Sequence, residues 1–380
     1  MKVLFVILLF IQIYIFILYP VLIAIIAWLK KCNKPETRKS YNLNVTIVVA
    51  ARNEEKVIES KILNSLEINY PKEHLEIFIV SDNSSDRTDE IVRKYKDNGI
   101  TLISLDCRHG KTALQNIAVK KAKGEIIVFS DANAMYNPDS IQYIVSQFND
   151  PDVGCVSGEL CYANPGKSAA GREENLYWKY EKYLKRKEDC ISTIMGANGS
   201  IYAVRKSDYV PLGDDIISDF IEPLEIASKG KKVVYEDKAL SYEESSVTFE
   251  EELMRKRRIL SRSIYSLYIH RHLLNPFKNP QLAFGLFSHK ILRWLSPVFL
   301  IILLAVNLFI LDSFFYRLVF ILQMIFYSLS LIVVLIRHNK KMPTFILVPY
   351  YFCLLGYASL LGIFDFIKGR NRAIWEPVRN

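Results

Sequence analysis

Ile77-Phe78-Ile79-Val80-Ser81-Asp82-Asn83-Ser84-Ser85-Asp86-Arg87-Thr88 decides the fold, together with its echo, Glu125-Ile126-Ile127-Val128-Phe129-Ser130-Asp131-Ala132-Asn133. Each is a short apolar run that ends on a carboxylate where the chain must turn. Strands that are apolar on both faces belong to parallel sheets covered by helices on either side. In open α/β sheets, ligands bind outside the carboxyl ends of the strands, so the two carboxylates point towards one crevice. A third run, Val45–Ala50, ends at Arg52-Asn53-Glu54-Glu55 and brings a third strand end to it. Three such ends make a nucleotide-type site the leading reading.

Outward from these runs, strand and helix patterns alternate. Val45–Ala50 precedes a helix over Lys56–Leu66, and Glu76–Ser81 precedes a helix from Thr88 with Asp89 and Glu90 in its favourable first turn. A short strand follows at Thr101–Leu105, then a helix over Lys111–Lys123 and a strand at Ile126–Ser130. This βαβαβαβ order predicts a mainly parallel sheet with right-handed crossovers. Beyond Asp150 the pattern loosens, with a strand at Gly158–Tyr162, a charged helix over Glu173–Lys187 and a helix running to Gly230.

The 51% hydrophobic content of the 380 residues is unevenly spread. Val3–Leu29 is almost wholly apolar, too long for a signal peptide and followed by no small-residue cleavage site. Trp294–Leu311, Phe314–Ile336 and Phe345–Ile367 are each long enough to cross about 30 Å of hydrocarbon. The expected organisation is therefore a transmembrane helix over residues 1–30, a cytoplasmic domain over 31–280 and a membrane region of about three helices over 281–380. Lys30, Lys31, Lys34, Arg38 and Lys39 after the first helix put the central domain on the cytoplasmic side of the plasma membrane. Arg337–Lys341 supports that side for the last loop. Lys368–Arg372 does the same for the tail, which three later crossings do not allow. A basic tail outside, a re-entrant stretch or an inserted segment near Ala283–Leu292 would each reconcile the count.

The net charge of +9 fits basic residues flanking helices and facing anionic membrane lipid. No zinc-finger spacing or aromatic-basic motif of an RNA-binding sheet is present, which argues against nucleic acid as a partner. The six cysteines form no Cys-x-x-Cys pair and read as reduced core thiols. His270-Arg271-His272 lacks helical ligand spacing and reads as surface or interface rather than metal.

Chemistry concentrates at the strand ends. Asp82, Ser84, Asp86 and Thr88 sit at a strand-to-helix turn, where Asp82 suits a base edge or ribose hydroxyl and the helix amino end suits phosphate. Helix capping explains Ser84, Asp86 or Thr88 as readily. Lys111 follows Gly110 at a helix start, from which it reaches a diphosphate, with Asn116 along the same face. A solvated lysine is the plain alternative. Asp131 and Asn133 offer oxygen ligands for Mg2+ or Mn2+ on a nucleotide diphosphate, the asparagine without charge; a turn-forming Asp131 is the other reading. Asp214, Asp215, Asp219 and Glu222 precede a helix, and Asp219 is the expected general base, with Asp215 or Glu222 as alternatives. Arg255-Lys256-Arg257-Arg258 suits either pyrophosphate or a basic membrane-facing helix.

Taken together these residues resemble the membrane-bound family 2 inverting glycosyltransferases, the group of cellulose, hyaluronan and poly-N-acetylglucosamine synthases. Arg52-Asn53-Glu54 resembles the family's opening element, and Val80-Ser81-Asp82 through Thr88 its nucleotide-binding motif. Gly110-Lys111 with Leu114 and Asn116 is similar to its Gly-Lys element, and Gly196-Ala197-Asn198-Gly199 to its acceptor-site turn. Ser218-Asp219 falls at the position of the family's base. The resemblance implies a GT-A-type α/β domain flanked by transmembrane helices. It implies a nucleotide sugar, a UDP-sugar above all, as donor and a glycan or lipid-linked acceptor, in cell-surface polysaccharide or glycoconjugate synthesis. Asn53, Glu54, Asp82, Ser84, Asp86, Lys111, Asn116, Asp131, Arg255 and Arg258 would hold the donor, and Asn198 and Gly199 the acceptor. Polysaccharide-assembly proteins would be partners. One motif departs. The Gln-x-x-Arg-Trp of processive members reads Arg255-Lys256-Arg257-Arg258-Ile259, which keeps the arginine and lacks the acceptor-stacking tryptophan. That departure favours short products; a polyprenyl-phosphate sugar synthase is the alternative within the enzyme class, and a silent scaffold with this fold, against which Asp82, Lys111, Asp131 and Asp219 argue, is the alternative outside it.

Overall fold

A computed structural model describes residues 1–31, 43–163, 169–244, 248–336 and 343–369. The basic residues Lys34, Arg38 and Lys39 and the run Arg337–Lys341 lie outside the described residues. An N-terminal helix, α1 (Lys2–Leu29), leads into the central domain. There β1 (Val45–Ala51), α2 (Ile58–Leu66), β2 (Leu75–Ser81), α3 (Thr88–Arg93), β3 (Ile100–Ser104), α4 (Lys111–Lys121) and β4 (Ile126–Asp131) follow in the expected alternation. The second half comprises β5 (Met135–Tyr136), α5 (Ser140–Gln147), β6 (Val153–Tyr162), α6 (Ala169–Ile191), β7 (Ile201–Arg205), α7 (Ser218–Ser228) and β8 (Lys232–Glu243). A long helix, α8 (Phe249–Ile269), returns towards α9 (Pro280–Asn307), α10 (Phe314–Leu335) and α11 (Thr344–Ile367).

The eight strands form one sheet in the order β3-β2-β1-β4-β7-β6-β8-β5. Its β3-β2-β1-β4 half is parallel, whereas β7 runs against both β4 and β6. Register aligns the site: Ala51 lies opposite Ser81, and Ala50 opposite Asp131, so the acidic ends of β2 and β4 emerge level on either side of β1. Alternate residues of each strand feed two cores. Ile47, Ile79 and Val128 pack on one face against Ile58, Ile62 and Ile144. Val48, Phe78 and Ile127 pack on the other against Leu114, Ala118 and Ile226. Both faces are buried, which is why these strands lack the alternation of a half-exposed sheet.

Among the described residues, four helices are long and apolar enough to cross a membrane: α1, α9, α10 and α11. At 1.5 Å per residue even the 22 residues of α10 span about 33 Å. The second differs from expectation. Rather than a crossing at Trp294–Leu311 with a separate segment near Ala283, α9 is one helix from Pro280 to Asn307. Its polar residues break the hydropathy signal but not the helix, because they meet acidic partners on α6. Lys290 Nζ and Arg293 Nη1 each reach the Glu181 carboxylate at 2.9 Å, and His289 Nδ1 lies 2.6 Å from Glu188 Oε1. Tyr19 of α1 donates to the same Glu188 oxygen at 2.8 Å. Buried charges require such pairing. The cysteines also differ in part from expectation: Cys190 is disulfide-bonded, and Cys107, Cys155, Cys161 and Cys353 are free.

Candidate active site

The level strand ends bring four residues together. Lys111 opens α4, where the positive φ of Gly110 (93°) lets the chain turn sharply into the helix. From there its Nζ donates to Asp131 Oδ1 at 2.5 Å and to the Gly199 carbonyl at 3.3 Å. A Cβ added at Gly199 would lie 2.6 Å from Asp219 Oδ2 and 3.2 Å from Lys111 Nζ, so the base candidate and the lysine flank this glycine. The Gly196–Gly199 turn is itself fixed. The Ala197 N–H donates to the Asp219 carbonyl at 2.9 Å, and the Asn198 side chain donates to the Gly158 carbonyl at 2.5 Å and accepts from Lys185 Nζ at 2.6 Å.

Electrostatics distinguish the carboxylates. Burial raises the Asp219 pKa above the usual value, and Asp131 adds to this while Lys111 and Arg262 oppose it. A carboxylate raised in this way is a stronger proton acceptor. Burial alone would lower the Lys111 pKa, but Asp131 and Asp219 outweigh it and hold the ammonium charged. Glu222 is fully buried, its pKa pushed well up by burial, and it accepts from the Tyr202 hydroxyl and the Val210 N–H, both at 3.4 Å. Asp215 accepts from the Tyr265 hydroxyl at 2.6 Å. Of the three base candidates, Asp219 alone lines the cavity described below.

The nucleotide-motif residues divide into two groups. Asn53, Glu54, Asp86, Lys111, Asp131 and Asn133 line one cavity with Asn198, Gly199, Arg255 and Arg258. Asp82, Ser84 and Asn116 do not. Asp82 is 2% exposed and accepts from the backbone N–H groups of His109 (2.7 Å) and Gly110 (3.0 Å), which fixes the loop that launches Lys111. Ser84 accepts from the Asn53 N–H at 3.1 Å. Asp86 Oδ1 accepts from the Thr88 N–H, just inside the start of α3, at 3.0 Å, while its Oδ2 accepts from the Glu55 N–H at the same distance. Asn116 binds the Leu212 carbonyl and the Tyr209 hydroxyl, which pins α4 to the loop before α7. Several motif letters thus brace the loops that carry the reactive groups.

The sequence reading missed Arg262. It lies four residues beyond Arg258 and seven beyond Arg255, one helical face of α8, and that spacing was the available signal. Arg262 lines the cavity, interacts with Asp219 and Asp215, and its buried Nε has no hydrogen-bond partner among the described residues. The cavity encloses about 1780 Å3, beyond the roughly 300–1,000 Å3 of ordinary ligand pockets. It continues from the polar strand ends to apolar residues of the long helices, among them Phe16, Leu300, Tyr327 and Phe352.

Residues 46–209 match the family model described as glycosyl transferase family 2. Poly-beta-1,6-N-acetyl-D-glucosamine synthase of Staphylococcus aureus (strain COL) is 27% identical over 214 residues, 54% of this chain and 51% of that protein. A probable glycosyltransferase of Bacillus subtilis (strain 168) is 29% identical over 187 residues, 44% of this chain and 42% of that protein. The chain thus spans about half the length of the curated relatives it matches. Among solved structures, a mannosyltransferase from Pyrobaculum calidifontis in complex with GDP-Man and Mn2+ superposes with a TM-score of 0.70 at 20% identity, covering 97% of this chain and 99% of that one. That likeness extends the shared fold through the flanking helices.

Proposed function

We propose that this chain, whose residues 46–209 match the glycosyl transferase family 2 model, transfers a sugar from a nucleotide diphosphate sugar, a UDP-sugar above all, to an acceptor hydroxyl with inversion. The observation that carries this reading is the convergence of Asp131, Lys111, Gly199 and Asp219 within one cavity. Asp131 and Asn133 offer hard oxygen donors beside the lysine, the donor set that suits Mg2+ or Mn2+ on a diphosphate. Bound there, such an ion would neutralise charge on the leaving diphosphate. Lys111 supplies a fixed positive charge on the same side, and Arg255 and Arg258 supply forked donors.

Asp219 takes the acceptor proton as the acceptor oxygen bonds to the anomeric carbon from the face opposite the diphosphate. The carbon–oxygen bond to the diphosphate breaks, and its electron pair leaves with that group. The Asn198–Gly199 turn holds the acceptor against Asp219. A cytoplasmic position for the domain, with the donor drawn from the cytoplasm, follows from the lysines after α1.

The cavity favours a second reading of the acceptor. Its continuation among the apolar residues of α1, α9, α10 and α11 suits a lipid-linked sugar or a polyprenyl phosphate that arrives from the membrane. Ile259 in place of a stacking aromatic supports one or a few sugars per encounter. The test is incubation of purified protein with a panel of radiolabelled nucleotide sugars, with and without lipid-linked acceptors, reading nucleotide release and product length. Release from one donor, stimulated by a lipid-linked acceptor, is the expected result. No release from any donor would overturn the transferase assignment of this site.

A further inference from the structure

Outside the cavity, the far ends of α7 and α8 meet at a second cluster. Glu225 on α7 faces His270, which closes α8, and His272 in the turn that follows. His270 Nδ1 lies 2.5 Å, and His272 Nε2 3.0 Å, from the same Glu225 Oε1. One potential ligand atom from each residue lies within 4.8 Å of the others. We propose that Glu225, His270 and His272 form a binding site for a zinc-class divalent transition-metal ion that ties the end of α7 to the end of α8.

The donor set selects the ion. Two imidazoles and one carboxylate suit zinc and its neighbours, with three protein ligands leaving a position for water. Mg2+ and Mn2+ prefer all-oxygen sites, so this site is chemically distinct from the Asp131–Asn133 pair. Burial adds to the geometry: Glu225 is 8% exposed, and its ion pairs among the described residues are both with histidines. A dication held by all three side chains would satisfy this buried carboxylate. His272 is more than half exposed and opens the site to solvent.

Position gives the ion a consequence. Asp219 lies six residues before Glu225 on α7, a rise of about 9 Å, and Arg262 lies eight before His270 on α8, about 12 Å. An ion at the shared far end fixes the angle between the helix of the base and the helix of the cations, without touching either substrate. His-x-His spacing alone does not disclose the site, because the third ligand comes from a separate helix.

The test uses the full chain, tag-free and in lipid nanodiscs, without nucleotide. Zn2+ is titrated against a chromogenic chelator, and Co2+ substitution is followed by its visible spectrum. The expected result is one saturable equivalent per chain. His272→Ala should weaken it at least about tenfold, since even outer-shell losses cost 10–100-fold. His272→Cys, which keeps a zinc ligand at an exposed position, should retain binding. Asp131→Ala should bind Zn2+ as the unaltered chain does, which separates this site from the donor site. Absence of a saturable equivalent in the unaltered chain, or equal affinity in His272→Ala, would overturn the proposal whatever the outcome for sugar transfer.

Discussion

Gly199→Ala tests the geometry of the reacting groups directly. The added Cβ would lie 2.6 Å from Asp219 Oδ2, where ordinary contact begins near 3.4 Å, so the carboxylate must withdraw by about 0.8 Å. The Asp219 carboxylate is the end of a side chain and can rotate, and Lys111 Nζ at 3.2 Å needs to give only a few tenths of an ångström. Fold stability should therefore change little. Catalysis should not escape, because a misplacement of about 1 Å at a reacting group costs up to about 10²-fold. That corresponds to about 2.7 kcal/mol in the barrier. The assay is nucleotide release in nanodiscs against donor concentration, beside a melting curve of the same preparation. The expected result is kcat lowered by about 10- to 100-fold with the donor KM near its original value. Unchanged kcat with an unchanged melting curve would refute the placement of Asp219 beside this glycine. A large fall in melting temperature would show that the site cannot absorb the methyl and would refute the argument from side-chain rotation.

Asp219→Asn should keep donor binding and lower turnover by about 10²-fold or more, the range for a lost general base; unaltered turnover would move that role to Asp215 or Glu222. The rate should fall as pH drops through the Asp219 pKa, which burial raises above the ordinary carboxylate value. Arg262 favours the ionised carboxylate, so Arg262→Gln should move the acid limb of the kcat profile to higher pH. Asp131→Ala should abolish the Mn2+-dependent part of UDP affinity in calorimetry; equal binding with and without the ion in the unaltered chain would remove Asp131 from a metal role. Ile259 should yield short products, since a lost aromatic–sugar contact of about 1 kcal/mol shortens residence about fivefold. Long polymer at the earliest times in gel filtration would defeat that expectation.

The fold was legible where local and tertiary signals agree. Ile77–Val80 and Ile126–Phe129 are buried on both faces, and such runs announce parallel strands without any knowledge of their partners. The element ends that carry Lys111, Asp131 and Asp219 were legible, because Lys111 and Asp219 stand at helix starts and Asp131 closes β4, where sequence pattern marks the turn. The same pattern marks Asp82 and Asn116 as ligand residues, yet their described hydrogen bonds brace loops. A polar residue at a strand end serves a ligand or the backbone with the same letter. Only contacts between distant segments separate the two roles. The spacing of Arg262 from Arg258 and Arg255 was legible, but its approach to Asp219, like that of Glu225 to His270, was not, because the partners lie 40 or more residues apart. In α9, His289, Lys290 and Arg293 looked like a break in an apolar helix because the charges that pair with them sit on α6.

The apolar helices are also part of the candidate site's support. Arg255 is held by Glu252, with Nε at 3.0 Å and Nη2 at 2.5 Å from Oε2. Glu252 is fully buried, and its other oxygen accepts from the Tyr351 hydroxyl of α11 at 2.8 Å. Two residues along α8, Arg257 makes a forked pair with Asp365 of α11 at 2.6 and 2.8 Å. The helix that presents Arg255, Arg258 and Arg262 to the cavity is thus clamped to α11 at two points through buried or half-buried charges. Forked, charge-assisted contacts fix orientation as well as distance. A buried carboxylate that loses its partner costs more than an ordinary hydrogen bond. Rotation of α11 about its axis would therefore carry the arginines with it, whereas the sheet that positions Lys111 and Asp131 would stay in place. Asp219 on α7 and the arginines on α8 rest on different supports, one on the sheet and one on α11. The distance between them is set where those two supports meet.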